Sequence, residues 1–141
     1  MIKEEKISRE SVDKVIVKAH RGIKSAIILV EDNDLEGGYE LSYEAMLLAG
    51  RALVFSFNFR PRTIGSHKTV VEFVEKVFGK EDGVLAAKFN KMRKNRHYLI
   101  YGSGLAISQT EAKNAIISAR VLLEKVEKNI QERSPQGKLE L

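Results

Sequence analysis

The side chains best suited to chemistry lie in one basic stretch, residues 89–102. Arg93, His97 and Tyr101 follow one another at intervals of four, so a helix would place all three on the same face. An arginine presents a forked donor to a phosphate, and a histidine exchanges a proton near neutral pH. A tyrosine stacks on a base or donates its hydroxyl. This combination predicts RNA binding, and it also has the groups needed for phosphodiester cleavage.

Arg96 is the unusual residue of this stretch because it interrupts an apolar line. Four apolar residues recur at intervals of three or four on either side of it: Leu85, Phe89, Met92 and Leu99. A guanidinium group on a core-facing line is costly unless it is paired or the line leaves the core there. Arg96 therefore either faces a ligand-binding cleft or pairs with a carboxylate on another helix. Glu44 is the candidate partner, and in this second interpretation His97 caps a helix end.

Positive charge is concentrated in two segments of a chain whose net charge is +5. Residues 88–97 contain five basic residues and no acid, and residues 60–68 contain three, Arg60, Arg62 and Lys68, again with no acid. A phosphate-bearing partner would exploit such concentrated charge. The alternative is a structural helical bundle whose basic faces are simply exposed to solvent.

Several classes of site are excluded or disfavoured. The chain has no cysteine, which rules out disulfides and thiolate metal ligands. His20, His67 and His97 lack the spacing of metal ligands, so we expect no metal and no cofactor. No stretch is long and apolar enough to span a bilayer, and the N-terminus lacks a signal-peptide pattern. We therefore expect a cytoplasmic protein with no membrane contact.

Apolar spacing predicts helices almost throughout. A first helix starts near Ser8 and ends at residues 31–33, and the glycine pair at 37–38 forms the turn that follows. A second helix includes residues 57–59 and is ended by Pro61, whose ring cannot continue it. On this helix Glu44 and Arg51 are seven residues apart and flank the apolar stripe on the same side.

Three more helices follow in the second half of the chain. The third has Ser66 as its N-cap and ends at Gly79, where a left-handed residue is favoured. The fourth covers residues 82–101, and Ser108 with Glu111 forms a capping box for the fifth. The sequence thus predicts an all-α fold, an up-and-down antiparallel bundle of about five helices. We expect one domain over residues 1–141, with flexible ends at 1–7 and 134–141.

Three segments, in order, resemble HEPN domains. Residues 43–53, Tyr-Glu-Ala-Met-Leu-Leu-Ala-Gly-Arg-Ala-Leu, are similar to the tyrosine-rich second helix of that family. Residues 59–62 and 66–68 resemble its Arg-Pro and His-Lys segment. Residues 93–101 fall where the family has an arginine followed, after four to six residues, by a histidine. The resemblance covers residues 13–127.

The resemblance implies an all-α bundle that often forms a homodimer, in which the signature helices meet across the two-fold axis. Catalytic members are metal-independent endoribonucleases, commonly the toxins of toxin-antitoxin modules. Other members act as non-catalytic partners of minimal nucleotidyltransferases or bind nucleotides or RNA. The candidate partners are therefore a second copy of the chain, RNA or a nucleotide, and a nucleotidyltransferase.

The resemblance also assigns roles to residues. If Arg96 is the signature arginine, His97 is the polar residue that follows it and Tyr101 takes the position of the terminal histidine. In a ribonuclease Arg96 would hold the scissile phosphate, and His97 or Tyr101 would handle the proton of the attacking 2′-hydroxyl. A tyrosine is a poor general base at neutral pH, so binding without cleavage stays open. The residues expected to bind phosphate are Arg93, Arg96, Arg60, Arg62 and Lys68.

Overall fold

The computed structural model describes residues 2–4, 7–61, 66–100 and 106–133, with the backbone alone at 2–4, 60, 61, 66 and 97–100. This part of the chain forms an all-α bundle, as the sequence predicts. Two three-residue strands, β1 (Ile2–Glu4) and β2 (Phe59–Pro61), accompany the helices. The helices are α1 (Arg9–Glu31), α2 (Leu35–Ser56), α3 (Ser66–Phe78), α4 (Gly83–Ile100) and α5 (Gln109–Arg133).

Helix α2 is the centre of the bundle, since α1, α3, α4 and α5 all pack against it. Its apolar spacing predicts one buried stripe, but the helix is buried on nearly every side. Residues two positions apart, and therefore on different faces, are fully covered: Tyr43, Ala45, Leu47 and Ala49. A helix that is apolar all round belongs in the middle of a core. The other helices present the single apolar faces expected of them, most completely α5.

The connection between α1 and α2 differs from the predicted glycine turn. The turn uses Asn33, whose φ of 63° is left-handed, and Asp34 then caps α2 by accepting a 3.0 Å hydrogen bond from the Gly37 N–H. Asparagine tolerates this conformation better than most residues. Gly38 lies inside α2, where a Cβ would overlap Cγ2 of Val30 on α1. Gly38 therefore permits close helix packing, Gly37 leaves room for the capping side chain of Asp34, and neither makes the turn.

The prediction that α2 continues through residues 57–59 is wrong. The helix ends at Ser56 because Asn58 turns the chain with a left-handed φ of 64°. β2 then pairs antiparallel with β1, with Glu4 opposite Phe59 and Ile2 opposite Pro61. The side chain of Asn58 also accepts a 3.2 Å hydrogen bond from the Ile7 N–H. The structure thus places a strand where the sequence predicts a flexible N-terminal end.

The remaining helix boundaries lie close to their predicted positions. The capping box of α5 is confirmed: Ser108 Oγ accepts from the Glu111 N–H at 3.0 Å, and Glu111 Oε1 accepts from the Ser108 N–H at 3.2 Å. α3 ends at Phe78, but Gly79 is not left-handed; a Cβ there would overlap the carbonyl oxygen of Glu75. The predicted loop at 102–104 and the tail at 134–141 lie outside the described residues. Among the described helices, none is long and apolar enough to cross a membrane.

Gly50 allows α3 to lie close against α2, because a Cβ at this position would overlap Cγ1 of Val70. Val70 is fully buried and its branched side chain is stiff. We expect Gly50→Ala to lower the free energy of unfolding by about 1–2 kcal/mol, since overpacking exceeds the gain in helix propensity. Denaturant unfolding measures this change.

Gly83→Ala is the matched control, because nothing lies within 4 Å of a Cβ there. This variant should be as stable as the wild type or more so. Val70→Ala should partly rescue Gly50→Ala, so that the double variant loses less stability than the two single losses combined. Equal stability of Gly50→Ala and wild type would contradict the close packing of α2 on α3.

Candidate functional site

The apolar line of α4 leaves the core where Arg96 replaces an apolar residue. Phe89 and Met92 are buried, whereas the side chain of Arg96 is 29% exposed. Its Nε donates a 3.1 Å hydrogen bond to Oε1 of Glu44 on α2, and the Glu44 side chain is 35% exposed. The predicted pair is therefore confirmed. It lies at the surface, between the two helices, and not inside the core.

Two more guanidinium groups share this region. Arg93, on the preceding turn of α4, donates from Nε and Nη2 to Oδ1 of Asn90 at 3.2 and 3.0 Å. Arg51 lies two turns further along α2 than Glu44 and is half-buried. Within the part of the chain that the structure describes, neither Arg51 nor Arg93 forms an ion pair with a carboxylate. We call Arg51, Arg93, Arg96 and Glu44 the basic cluster.

A buried tyrosine and a partly exposed histidine lie beside the basic cluster. Tyr43, on α2, is completely buried, and its hydroxyl lies 2.9 Å from Nδ1 of His67 near the start of α3. The Tyr43 ring contacts Phe89 at a centroid distance of 5.8 Å, and Cζ of Arg96 lies 5.9 Å from its centre. Tyr43 thus contacts α3 and α4 at once, and it holds His67 next to the guanidinium groups.

Burial and charge act on both members of this pair. Burial and, to a smaller extent, the neighbouring Glu44 carboxylate raise the pKa of Tyr43 to about 12, although the positive charges of Arg96, Arg93 and Arg51 partly oppose this shift. Burial lowers the pKa of His67, and the positive charges of Arg96 and Arg51 add to this effect. At neutral pH the phenol and the imidazole are both uncharged. The net charge of the region therefore comes from the basic cluster.

The structure describes only some of the other predicted site residues. Lys68 is exposed on α3 next to His67, with its Nζ 4.0 Å from Oε1 of Glu72. Arg62 and Tyr101 lie outside the described residues, as do the side chains of Arg60 and His97. Of the predicted set, the structure brings Arg93 and Arg96 together.

Sequence reasoning missed that Tyr43, Arg51 and His67 join these two arginines. Tyr43 and His67 are 24 residues apart and on different helices, so no local pattern connects them. The available signal was that Tyr43 lies on the same helical face as apolar residues such as Met46, Leu47 and Gly50. Its hydroxyl needs a partner if it is buried.

The arrangement is suited to binding an anion. Three guanidinium groups and one carboxylate act on the Tyr43 hydroxyl, and all four residues retain some exposure to solvent. Guanidinium groups recognise phosphate oxygens through paired hydrogen bonds. No group of three or more potential metal ligands occurs among the described residues. His20, far from this region, contacts Glu127 through Nε2 at 2.7 Å.

The lowered pKa of His67 makes stability depend on pH. Unfolded His67 takes up a proton near its ordinary pKa of 6.5, and folded His67 does so at lower pH. The free energy of unfolding should therefore decrease as the pH falls below about 6.5, by at most about 1.4 kcal/mol per pH unit from this group. Denaturant unfolding from about pH 7.5 to about pH 5.5 measures the decrease.

His67→Gln should show a weaker decrease over the same range, and the difference from the wild type isolates His67 from the carboxylates. His20→Gln is the control, because it leaves the surroundings of His67 intact and should keep the difference. Identical pH profiles for wild type and His67→Gln would refute the effect of burial on His67.

The family model of the HEPN domain matches residues 12–129, which include all five helices except the first turn of α1 and the last turn of α5. No curated protein matches the chain. The matched region contains the basic cluster and the Tyr43–His67 pair. The homodimer and the nucleotidyltransferase partner stay predictions. With a match over most of its length and an all-α bundle of five described helices, the chain belongs to the HEPN domain family.

Proposed function

We propose that this protein binds RNA through its phosphate groups, at the surface formed by α2, α3 and α4. The observation that carries the proposal is the basic cluster, in which Arg51 and Arg93 have no carboxylate partner among the described residues. HEPN domains are generally nucleotide-binding, RNA-binding or ribonuclease-like, and this agrees with the charge of the site.

The guanidinium groups are arranged so that a phosphate can reach them. The Nε of Arg96 donates to Glu44, so the two terminal nitrogens of the guanidinium group remain available for other acceptors. Arg93 is held by a neutral amide oxygen and therefore keeps its full charge available. A phosphodiester bound here would replace water around half-exposed cations and would add the negative charge that the site lacks.

Exposed lysines give α4 a second basic side, where Lys88 and Lys91 line a pocket together with Glu111 of α5. Lys88, Lys91 and Lys94 are exposed at intervals of three residues, so they follow one side of the helix. Lys68 is exposed at the start of α3. Arg60, Arg62, His97 and Tyr101 stay predicted members of the site from the sequence alone. A row of this length suits a polynucleotide, whose phosphates repeat along the strand, better than a single small anion.

Arg93→Ala should weaken binding of a single-stranded RNA by about tenfold, because one charge-assisted hydrogen-bonding group is lost. It should also reduce the slope of log affinity against log salt concentration by about 0.7, the value for one phosphate contact on a single strand. Fluorescence anisotropy with a 2′-O-methyl oligonucleotide, which resists cleavage at the 2′ position, measures both quantities. A 5′-mononucleotide as competitor separates recognition of a strand from recognition of one nucleotide.

Arg21→Ala is the matched control, since it removes the same charge from an exposed position on α1. α1 packs on α2 and α5 and so lies away from α3 and α4. Arg21→Ala should bind like the wild type. Absence of binding by the wild type at low salt, or equal losses in Arg21→Ala and Arg93→Ala, would refute the proposed surface.

We further propose that this protein binds RNA without cleaving it. Tyr101 occupies the position of the terminal histidine in the family pattern, and a phenol accepts a proton poorly near neutral pH. Purified protein incubated with total RNA, with and without EDTA, should leave the RNA intact. Cleavage that survives EDTA and disappears in Arg96→Ala would overturn this proposal and identify a metal-independent ribonuclease.

A further inference from the structure

The hydroxyl of Tyr43 has one partner among the described residues, Nδ1 of His67 at 2.9 Å. Tyr43 is 0% exposed, and no buried side-chain nitrogen or oxygen in the described part of the chain lacks a hydrogen bond. A buried phenol hydrogen without an acceptor costs free energy, so it must point at an atom with a lone pair. This requirement decides which group donates in the Tyr43–His67 hydrogen bond.

Among the described residues only His67 is placed to accept from the Tyr43 hydroxyl, so Tyr43 is the donor. If Nδ1 of His67 carried the proton, the hydroxyl would accept, and its own hydrogen would have no described acceptor. The carboxylate of neighbouring Glu44 accepts from Arg96, and no hydrogen bond joins it to the Tyr43 hydroxyl. With Tyr43 donating, Nδ1 is unprotonated, and a neutral imidazole then carries its hydrogen on Nε2. Tyr43 therefore selects the Nε2–H tautomer of His67.

The Nε2–H group is left as a donor beside the basic cluster. His67 is partly exposed, and no described residue accepts a hydrogen bond from Nε2. Tyr43 connects His67 to the basic cluster, since its hydroxyl lies 2.9 Å from Nδ1 of His67 and its ring centre lies 5.9 Å from Cζ of Arg96. An anion drawn to the three guanidinium groups of that cluster would bring oxygen acceptors to a ring that has one hydrogen to donate.

We infer that His67, held as the neutral Nε2–H tautomer by Tyr43, is a further phosphate ligand of this site. His67 would contact a phosphate oxygen directly, and Tyr43 would act as a positioning residue behind it. The inference rests on the proposed binding of phosphate at the basic cluster and adds a neutral donor from α3 to the cations of α2 and α4. The ligand class is a phosphate ester, either the diester of a strand or the monoester of a nucleotide.

The tautomer can be read directly from the intact protein. Long-range proton–nitrogen NMR spectra of the ¹⁵N-histidine-labelled chain near neutral pH should show an unprotonated Nδ1 and a protonated Nε2 for His67. Tyr43→Phe removes the donor and should turn this pattern into a mixture of tautomers. A wild-type spectrum with the proton on Nδ1 would overturn the inference whether or not the protein binds RNA.

Ligand contact is tested by titration and by two substitutions of His67. Inorganic phosphate, a 5′-mononucleotide and a 2′-O-methyl RNA without a terminal phosphate are added in turn, and the Nε2 and Nε2–H signals should shift. A response to the mononucleotide alone would assign a monoester site, and a response to the RNA a diester site. His67→Leu should weaken binding of the responding ligand by about tenfold. His67→Gln, whose amide N–H can take the place of Nε2–H, should retain most of the affinity.

Failure of the inference differs from failure of the proposed function. If the wild type and His67→Leu bind equally while Arg93→Ala binds weakly, the basic cluster is a phosphate site and His67 is not part of it. If the wild type binds none of the three probes, the proposed function fails and the inference falls with it. Thermal unfolding of each variant shows whether it is folded, and the wild-type spectrum tests the tautomer without any variant.

Discussion

The burial of α2 on nearly every side is the constraint on which the rest of the structure depends. A polar group on a buried face of this helix cannot be left unpaired, because water does not reach it. Ser42 meets this requirement locally, since its hydroxyl donates to the carbonyl oxygen of Gly38 at 2.8 Å. The longer side chain of Tyr43 cannot pair its hydroxyl within α2. Its hydroxyl needs an acceptor on another helix, and α3 supplies His67.

Small residues on α2 make this arrangement possible. Gly38 and Gly50 have no Cβ to keep Val30 of α1 and Val70 of α3 at a distance. Close approach of α3 brings His67 within hydrogen-bonding distance of Tyr43, and the same packing sets α4 so that Arg96 meets Glu44. The candidate site is therefore a consequence of core packing. Its charged groups emerge where the buried faces of α2 and α4 reach the surface.

In the basic cluster, Arg96 is ion-paired with Glu44 and both side chains remain partly exposed to solvent. A buried, fully paired arginine would be a structural element, and an isolated arginine in solvent would be a poorly placed ligand group. Arg96 lies between these cases, held through Nε by one carboxylate and 29% exposed. The ion pair orients the side chain without neutralising the site, because Arg51 and Arg93 add charge that no described carboxylate balances. Oriented cations of this kind bind phosphate with little loss of side-chain freedom.

Predictions from sequence succeeded where the relevant physics is local, and the structure explains the exceptions. The capping box at Ser108 and Glu111 and the apolar face of α5 depend on neighbouring residues along one helix. The glycine pair at 37–38 was wrongly predicted to form the turn between α1 and α2, because a glycine that admits a neighbouring helix looks the same in sequence as one that makes a turn. Residues 57–59 were wrongly predicted to continue α2, because aromatic residues at helical spacing also fit a strand. The partner strand, which begins at Ile2 near the N-terminus, is far away in sequence.

By itself the sequence determined the helical class, most helix boundaries and the segments that carry positive charge, because periodicity and charge are local properties of the chain. It also indicated that Arg96 needed a partner and that Glu44 was a candidate. Tertiary structure alone decided the all-round burial of α2, the hydrogen bond between Tyr43 and His67, and the position of Arg51 beside them. These features join residues on different helices, and their distances depend on how closely the helices pack.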